Sequence, residues 1–292
     1  MIEPKFLTAL GSPTDDEHNL HEEGLEAHIA DQFKGGIESF LVGGTMGNMQ
    51  LLRRDTYRRL VDRSIEICNG HGEILVGAGD LGVGRTLERI EWLNDKAIDG
   101  IVVLSPYFWH LKQSELIDYY TELADKARRP LYIYDLPGLT GQTLTIETYL
   151  ELGKHPNIPG AKISGNVPHS IDVINALGPD FRVIIAEPLL IDVLLRSGLA
   201  HHLDGMLAIA PHWTVEIGNA AVAGDWEAAA KAQRKLTALT HLLRQFGGGG
   251  FTAMMNARGI PGRFNVPPYG SISESELEEL ASDPTMIEFT KS

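Results

Sequence analysis

Lys162 is the residue whose position in this sequence most clearly indicates chemistry. It lies in residues 160–163, a Gly-Ala-Lys-Ile run with the character of a buried strand. An ammonium group is costly to remove from water, so a lysine there is ion-paired, lies on an edge strand, or has a function. A lysine whose pKa is lowered by burial presents a neutral amine that attacks a carbonyl carbon and forms a Schiff base. We therefore expect Lys162 to form an imine that assists the making or breaking of a neighbouring C–C bond.

Two hydroxyl side chains could move protons in such a reaction. Tyr134 ends the preceding apolar run, directly before the turn at 135–138. Thr45 lies in a glycine-rich turn at 43–48, where backbone N–H groups can hold a carboxylate while the hydroxyl relays a proton. The alternatives are a rim tyrosine with a satisfied hydroxyl and a simple tight turn.

Eight short apolar runs recur along the chain at about the length of one βα unit, with helix-period segments between them. The runs are residues 6–10, 39–43, 74–77, 101–104, 131–134, 158–163, 183–186 and 206–210. Most carry apolar residues at consecutive positions, as parallel strands covered on both faces do. This pattern predicts an α/β fold, a (β/α)8 TIM barrel, with a doubly wound sheet as the alternative. In such a barrel the carboxyl ends of the strands carry the chemistry.

The C-terminal part exceeds the one helix that a barrel needs. We expect residues 1–212 to hold the barrel strands and helices. Residues 213–292 then form the last barrel helix and a C-terminal helical extension of the same structural unit. Within this part, 226–243 and 274–280 have helical patterns, and 247–250 is a run of four glycines.

Composition excludes several classes of protein. Asp and Glu total 39 against 25 Lys and Arg, a formal charge of −14, which disfavours nucleic acid and anionic membranes as partners. Cys68 is the only cysteine, so a disulfide within the chain and a cysteine-built metal site are excluded. No apolar stretch is long enough to span a membrane, and the first residues lack the apolar core of a signal peptide. We expect a cytoplasmic protein.

A dinucleotide-binding fingerprint occurs at Gly77, Gly79 and Gly82, with Asp99 at about the expected distance. It would indicate an NAD-dependent dehydrogenase. The motif follows the third strand and the barrel period continues after it, so a flexible loop is the better interpretation.

Four segments together resemble the dihydrodipicolinate synthase/N-acetylneuraminate lyase family of class I aldolases. Residues 44–48 resemble its G-T/S-T-G-E turn, 134–137 its Y-N-x-P segment, 160–162 its G-x-K segment and 224–229 its G-D-[FW]-x-x-A helix. The resemblance implies a barrel that assembles as a homotetramer or dimer without a cofactor.

The same resemblance implies roles for individual residues. Lys162 would form a Schiff base with pyruvate or a pyruvate-derived 2-oxo acid, and Tyr134 would shuttle protons. The turn with Gly44, Thr45 and Met46 would hold the carboxylate.

Departures from the family pattern concern the second substrate. Met46 replaces a hydroxyl residue, and Phe108 stands where a synthase contributes an aromatic hydroxyl across its dimer interface, with Tyr107 one position away. Leu139 replaces the arginine with which a synthase binds its aldehyde partner's carboxylate, which argues against aspartate semialdehyde. Glu187 alone lies near the position of the lyase's acidic pair. The expected substrate-binding residues are Gly44, Met46, Tyr107, Phe108, Leu139, Glu187 and Leu207.

These residues predict a Schiff-base-forming lyase that cleaves or dehydrates a 2-oxo acid, such as a 2-keto-3-deoxy sugar acid. One alternative is 4-hydroxy-tetrahydrodipicolinate synthase, which uses the same lysine. The other is a non-catalytic paralogue that binds a 2-oxo acid, which Met46 and Phe108 favour slightly and Lys162, Tyr134 and Thr45 oppose.

Overall fold

The structure, a computed structural model, describes residues 2–291, and its eight strands follow one another in chain order around a closed parallel barrel. The predicted (β/α)8 fold is confirmed. The strands are β1 Lys5–Ala9, β2 Phe40–Val42, β3 Ile74–Gly77, β4 Gly100–Leu104, β5 Leu131–Asp135, β6 Gly160–Ser164, β7 Arg182–Ala186 and β8 His201–Asp204.

Helices separate the strands and continue after the last one. Within the described range they are α1 Glu22–Gly35, α2 Arg54–Cys68, α3 Val83–Leu93, α4 Gln113–Lys126, α5 Pro137–Thr140, α6 Ile146–Leu152, α7 Val167–Leu177, α8 Ile191–Arg196, α9 Gly205–Ile209, α10 Pro211–Val222, α11 Trp226–Ala257, α12 Glu274–Ser282 and α13 Pro284–Phe289. The expected additional C-terminal helices are confirmed. Helix α11 spans the four glycines, with a kink at Gly247, whose φ of 58° lies in the left-handed region that glycine tolerates.

The eighth strand was predicted at the wrong place. Residues 206–210 belong largely to helix α9, whereas β8 is the preceding segment His201–Asp204, which pairs with β1. His201 and His202 are therefore strand residues. The Asp204 carboxylate accepts a hydrogen bond from the Met206 N–H at 2.8 Å and caps α9. A short apolar run cannot be assigned to a strand or a buried helix by periodicity alone.

The contacts divide the chain into two compact units, residues 1–72 with 188–292 and residues 73–187. In the first, α10 to α13 form an apolar core that includes Trp213, Leu236, Met254 and Phe289. The second holds β3 to β7 with α3 to α7.

The register within the second unit brings particular residues to one level. Gly77 pairs with Val102, and Tyr134 pairs with both Leu104 and Lys162. Gly79, two residues after Gly77, lies against Leu104 in the same way. A Cβ added at Gly79 would lie 2.5 Å from the Leu104 backbone nitrogen. That close approach explains one glycine of the dinucleotide-like motif by strand packing.

Candidate active site

Lys162 is buried in the middle of β6 and only 3% of it is exposed. β6 is hydrogen-bonded to β5 on one side and β7 on the other, so it is not an edge strand. Among residues 2–291, the structure gives the ammonium no carboxylate partner. Its Nζ donates a hydrogen bond to the Ser164 Oγ at 2.9 Å. Both structural explanations of this lysine, an ion pair and an edge strand, therefore fail.

Tyr134 lies directly beside Lys162. The two residues are register partners on β5 and β6, and the Nζ is 3.8 Å from the centroid of the Tyr134 ring. The nitrogen therefore lies directly over the face of the ring. Tyr134 is 6% exposed. The predicted pairing of the lysine with a tyrosine on the neighbouring strand end is thus present in the fold.

Ser164 is a site residue that was missed from the sequence. It stands two positions after Lys162 on the same strand, and alternate strand residues share a face. That period of two is the signal that could have identified it.

The loop residues after β4 and β5 are more exposed than the lysine. Phe108 is 70% exposed and Trp109 is 75% exposed, with their rings stacked edge to face at 5.2 Å. Tyr107 is half-buried, and burial, followed by the charge of Asp80, raises the pKa of its phenol. Leu139 lies on α5 and is 49% exposed.

Asp80, just after β3, is ion-paired with two arginines. Its carboxylate is 2.8 Å from an Arg89 Nη and 3.2 Å from the Arg85 Nε. The charge of Arg85 is therefore already balanced in part by a buried carboxylate.

The glycine-rich turn predicted to hold a carboxylate follows β2 in the other unit. Gly44 is buried, Thr45 and Met46 are half-buried, and the Ser12 Oγ fixes the turn by donating to the Gly47 carbonyl at 2.7 Å. Met46 packs so closely on Gly205 that a Cβ there would lie 2.6 Å from its Cε.

The two remaining predicted substrate-binding residues lie near the ends of β7 and β8. Glu187 is half-buried one residue after β7. Leu207 is 1% exposed and lies on α9 because the eighth strand ends earlier than predicted.

The second unit also holds a cavity that lies away from Lys162 and Tyr134. A cavity of about 430 Å³ borders Leu150, Lys154, Leu177 and Phe181, beside the amino ends of β6 and β7, whereas Lys162 lies in the middle of β6. Across residues 2–291, His, Cys, Asp and Glu form no group of three or more placed to hold a metal ion. In the same range no helix is long and apolar enough to cross a membrane.

The arrangement suits imine chemistry. In the part of the chain that the structure describes, a buried amine with no carboxylate partner lies against a phenol ring on the neighbouring strand. The pair supplies a nucleophile and a hydroxyl that can exchange protons with the adduct.

Comparison with known proteins agrees with this description. A family model, the dihydrodipicolinate synthetase family, matches residues 4–286. A 4-hydroxy-tetrahydrodipicolinate synthase from an Exiguobacterium species is 28% identical over 275 residues, 92% of this chain and 94% of that protein. One from Methanospirillum hungatei is 31% identical over 235 residues, 79% of this chain and 80% of that protein.

Solved structures share the fold at lower identity. YagE from E. coli K12, a member of the dihydrodipicolinic acid synthase family in complex with pyruvate, superposes with a TM-score of 0.89 at 23% identity, covering 99% of this chain and 98% of that one. The 2-keto-3-deoxygluconate aldolase of Sulfolobus with D-KDPG gives 0.87 at 21%, covering 99% and 95%. With the family model matching nearly its whole length, the chain belongs to the dihydrodipicolinate synthetase family.

Proposed function

We propose that this protein is a Schiff-base-forming lyase that acts on a 2-oxo acid through Lys162. The observation that carries the proposal is the Lys162 amine, buried on a central strand, hydrogen-bonded only to Ser164 among the described residues and 3.8 Å from the Tyr134 ring. Family membership supports the same chemistry.

The proposed reaction begins when the neutral Lys162 amine attacks the C2 carbonyl of the substrate. Loss of water from the carbinolamine, with a proton supplied by the Tyr134 phenol, gives a cationic imine and leaves Tyr134 as a phenolate. In aldol cleavage the C4 hydroxyl passes its proton to Tyr134, and the C3–C4 bonding pair moves towards the imine, which releases an aldehyde and leaves an enamine. Tyr134 returns the proton to C3, and water then hydrolyses the cationic imine to give pyruvate, the free amine and a proton, which the Tyr134 phenolate takes up. Dehydration uses the same imine but expels a hydroxyl group from the substrate as water.

The remaining assignments extend the family resemblance residue by residue. The turn of Gly44, Thr45 and Met46 binds the substrate carboxylate. Tyr107, Phe108, Leu139, Glu187 and Leu207 bind the rest of the substrate. No metal or organic cofactor takes part.

A 2-keto-3-deoxy sugar acid is the proposed substrate class. Leu139 offers no charge for a second carboxylate, and the Arg85 guanidinium is ion-paired with Asp80 through its Nε. The structural neighbours include an aldolase for such a compound, which supports this choice. The alternative function is that of a 4-hydroxy-tetrahydrodipicolinate synthase. Two relatives in sequence carry this name.

We further propose a cytoplasmic homo-oligomer, a tetramer or a dimer. The support is the pair of stacked and exposed aromatic rings, Phe108 and Trp109, which is unusual on a surface that faces only water. Light scattering after size-exclusion chromatography would give the mass of the assembly. A monomer at micromolar concentration would contradict this part of the proposal.

A steady-state assay with a panel of 2-keto-3-deoxy sugar acids, and with pyruvate plus aspartate semialdehyde, tests the activity. The expected result is pyruvate release, or dehydration, with at least one sugar acid and loss of that activity in Lys162→Met. A higher kcat/KM with aspartate semialdehyde would establish the synthase alternative. Binding of 2-oxo acids without turnover of any of them would establish the non-catalytic one.

A further inference from the structure

The face of β5 opposite to Tyr134 carries a fully buried carboxylate. Asp135 follows Tyr134 on β5 and is 0% exposed. Its register partner is Ile163, the residue after Lys162. Since neighbouring strand residues face opposite sides, Asp135 lies behind the lysine–tyrosine pair, against helices α6 and α7.

Three donors converge on one oxygen of this carboxylate. The Asp135 Oδ2 accepts hydrogen bonds from the Thr143 Oγ1 at 2.7 Å, the Leu144 N–H at 3.2 Å and the Tyr149 Oη at 3.2 Å. Several donors on a carboxylate favour its ionised form. Burial acts in the other direction and raises the pKa of Asp135.

A histidine stands close to the same oxygen without bonding to it. The His169 Nε2 is 3.8 Å from the Oδ2, and its ring centroid is 5.8 Å from that of Tyr149. Among the described residues, neither this Nε2 nor the Asp135 Oδ1 has a hydrogen-bond partner. The titratable groups that face the carboxylate are Tyr149 from α6, His169 from α7 and Tyr120 from α4, whose pKa the Asp135 charge helps to raise.

We propose that Asp135 is an electrostatic positioning residue, whose buried negative charge stabilises the cationic imine on Lys162 from behind the β5–β6 strand pair. The effect on catalysis rests on the proposed function, because it requires an imine on Lys162. The effect on the free ammonium does not. The family segment that residues 134–137 resemble, Y-N-x-P, has a neutral amide where this chain has Asp135.

The size of the effect follows from Coulomb's law. At an effective dielectric constant of about 20, a unit charge about 10 Å away changes a pKa by about one unit. A negative charge favours the ammonium form. Removal of the Asp135 charge therefore disfavours both cationic forms of Lys162, the ammonium and the imine, by about tenfold.

The test compares wild type with Asp135→Asn, which removes the charge, and Thr143→Val, which removes one hydrogen bond to the same carboxylate but keeps the charge. Acetylation of Lys162 by acetic anhydride, followed across pH by mass spectrometry, reports the pKa of its amine without any substrate. We expect Asp135→Asn to lower that pKa by about one unit and Thr143→Val to leave it in place. Asp135→Ser, neutral and smaller, repeats the measurement if the Asn variant does not fold.

Coincident profiles for wild type and the neutral variant would overturn the inference. An equal shift in Thr143→Val would also overturn it, because it would show a structural effect. Trapping of pyruvate on wild-type Lys162 is measured separately. Its failure would reject the proposed function and leave the acetylation result to decide on Asp135.

Discussion

The two faces of the β5–β6 strand pair show different uses of buried polar groups. On the Lys162 face, Lys162 contacts the Tyr134 ring and, within residues 2–291, makes one hydrogen bond, to Ser164. On the Asp135 face, one carboxylate oxygen receives three hydrogen bonds, and α6 and α7 both contribute side chains around it.

This difference indicates that the Asp135 face stabilises the fold and that the Lys162 face is available to react. A sparsely bonded buried amine is costly for the fold and available to a substrate, whereas a carboxylate with three hydrogen bonds on one oxygen joins elements to one another. Substitutions on the Lys162 face should therefore change turnover and spare stability. Those on the Asp135 face should mainly do the reverse, apart from the effect of the Asp135 charge itself.

Lys162→Met gives the largest expected effect. It removes the nucleophile, and loss of a covalent catalytic group should lower kcat at least about 10⁴-fold. Because a buried ammonium is replaced by an apolar chain of similar length, the free energy of unfolding should stay the same or increase. Denaturant titration and a pyruvate-release assay measure the two quantities.

Lys154→Met is the matched control, since Lys154 is exposed and ion-paired with Glu151. Its kcat should equal that of wild type. A large loss of stability in Lys162→Met would show that the lysine is a structural residue.

Tyr134→Phe should lower kcat by about 10²–10⁴-fold, the usual contribution of a positioned acid or base. Imine formation should remain possible, and the fold should be intact. Tyr132→Phe, two residues earlier on the same strand, is the control. If Tyr134→Phe retains more than about a third of the wild-type kcat, the proton shuttle is another group.

Residues 136–144 lie between β5 and α6 and include Leu139. Because Leu139 has no charge, we expect the enzyme to use aspartate semialdehyde poorly. A desolvated carboxylate without its charged partner costs about 2–5 kcal/mol, or roughly 30-fold to several-thousand-fold in kcat/KM. Steady-state kinetics beside the sugar-acid panel measures the ratio. A kcat/KM above about 10⁴ M⁻¹s⁻¹ for the semialdehyde would contradict this interpretation of Leu139.

Tyr149→Phe gives the smallest expected effect and tests the Asp135 face. It removes one of the three hydrogen bonds to the carboxylate, which should cost about 1–3 kcal/mol of unfolding free energy. The kcat should change less than about twofold, because the charge remains. A large loss of kcat at unchanged stability would reverse the contrast between the two faces.

Much of the fold and the reactive pair could be predicted from the sequence. The apolar runs recur with the period of a βα unit, and a lysine inside one of them is conspicuous because burial is costly. Because the ends of parallel strands meet at one side of the barrel, Tyr134 and Lys162 were predicted to lie close together.

The rest depended on contacts between distant residues. Asp135 is informative only through Thr143, Tyr149 and His169, which α6, α7 and the segment before α6 supply after folding. The eighth strand was misplaced because its sequence is polar, whereas the apolar residues after it form α9.

The central claim is that Lys162 forms a covalent imine. The most direct test treats the folded protein with pyruvate and borohydride and locates the adduct by mass spectrometry of peptides. The account predicts one reduced pyruvyl group, on Lys162, and none in Lys162→Met. Labelling at another lysine, or no labelling of the folded wild-type protein, would contradict it.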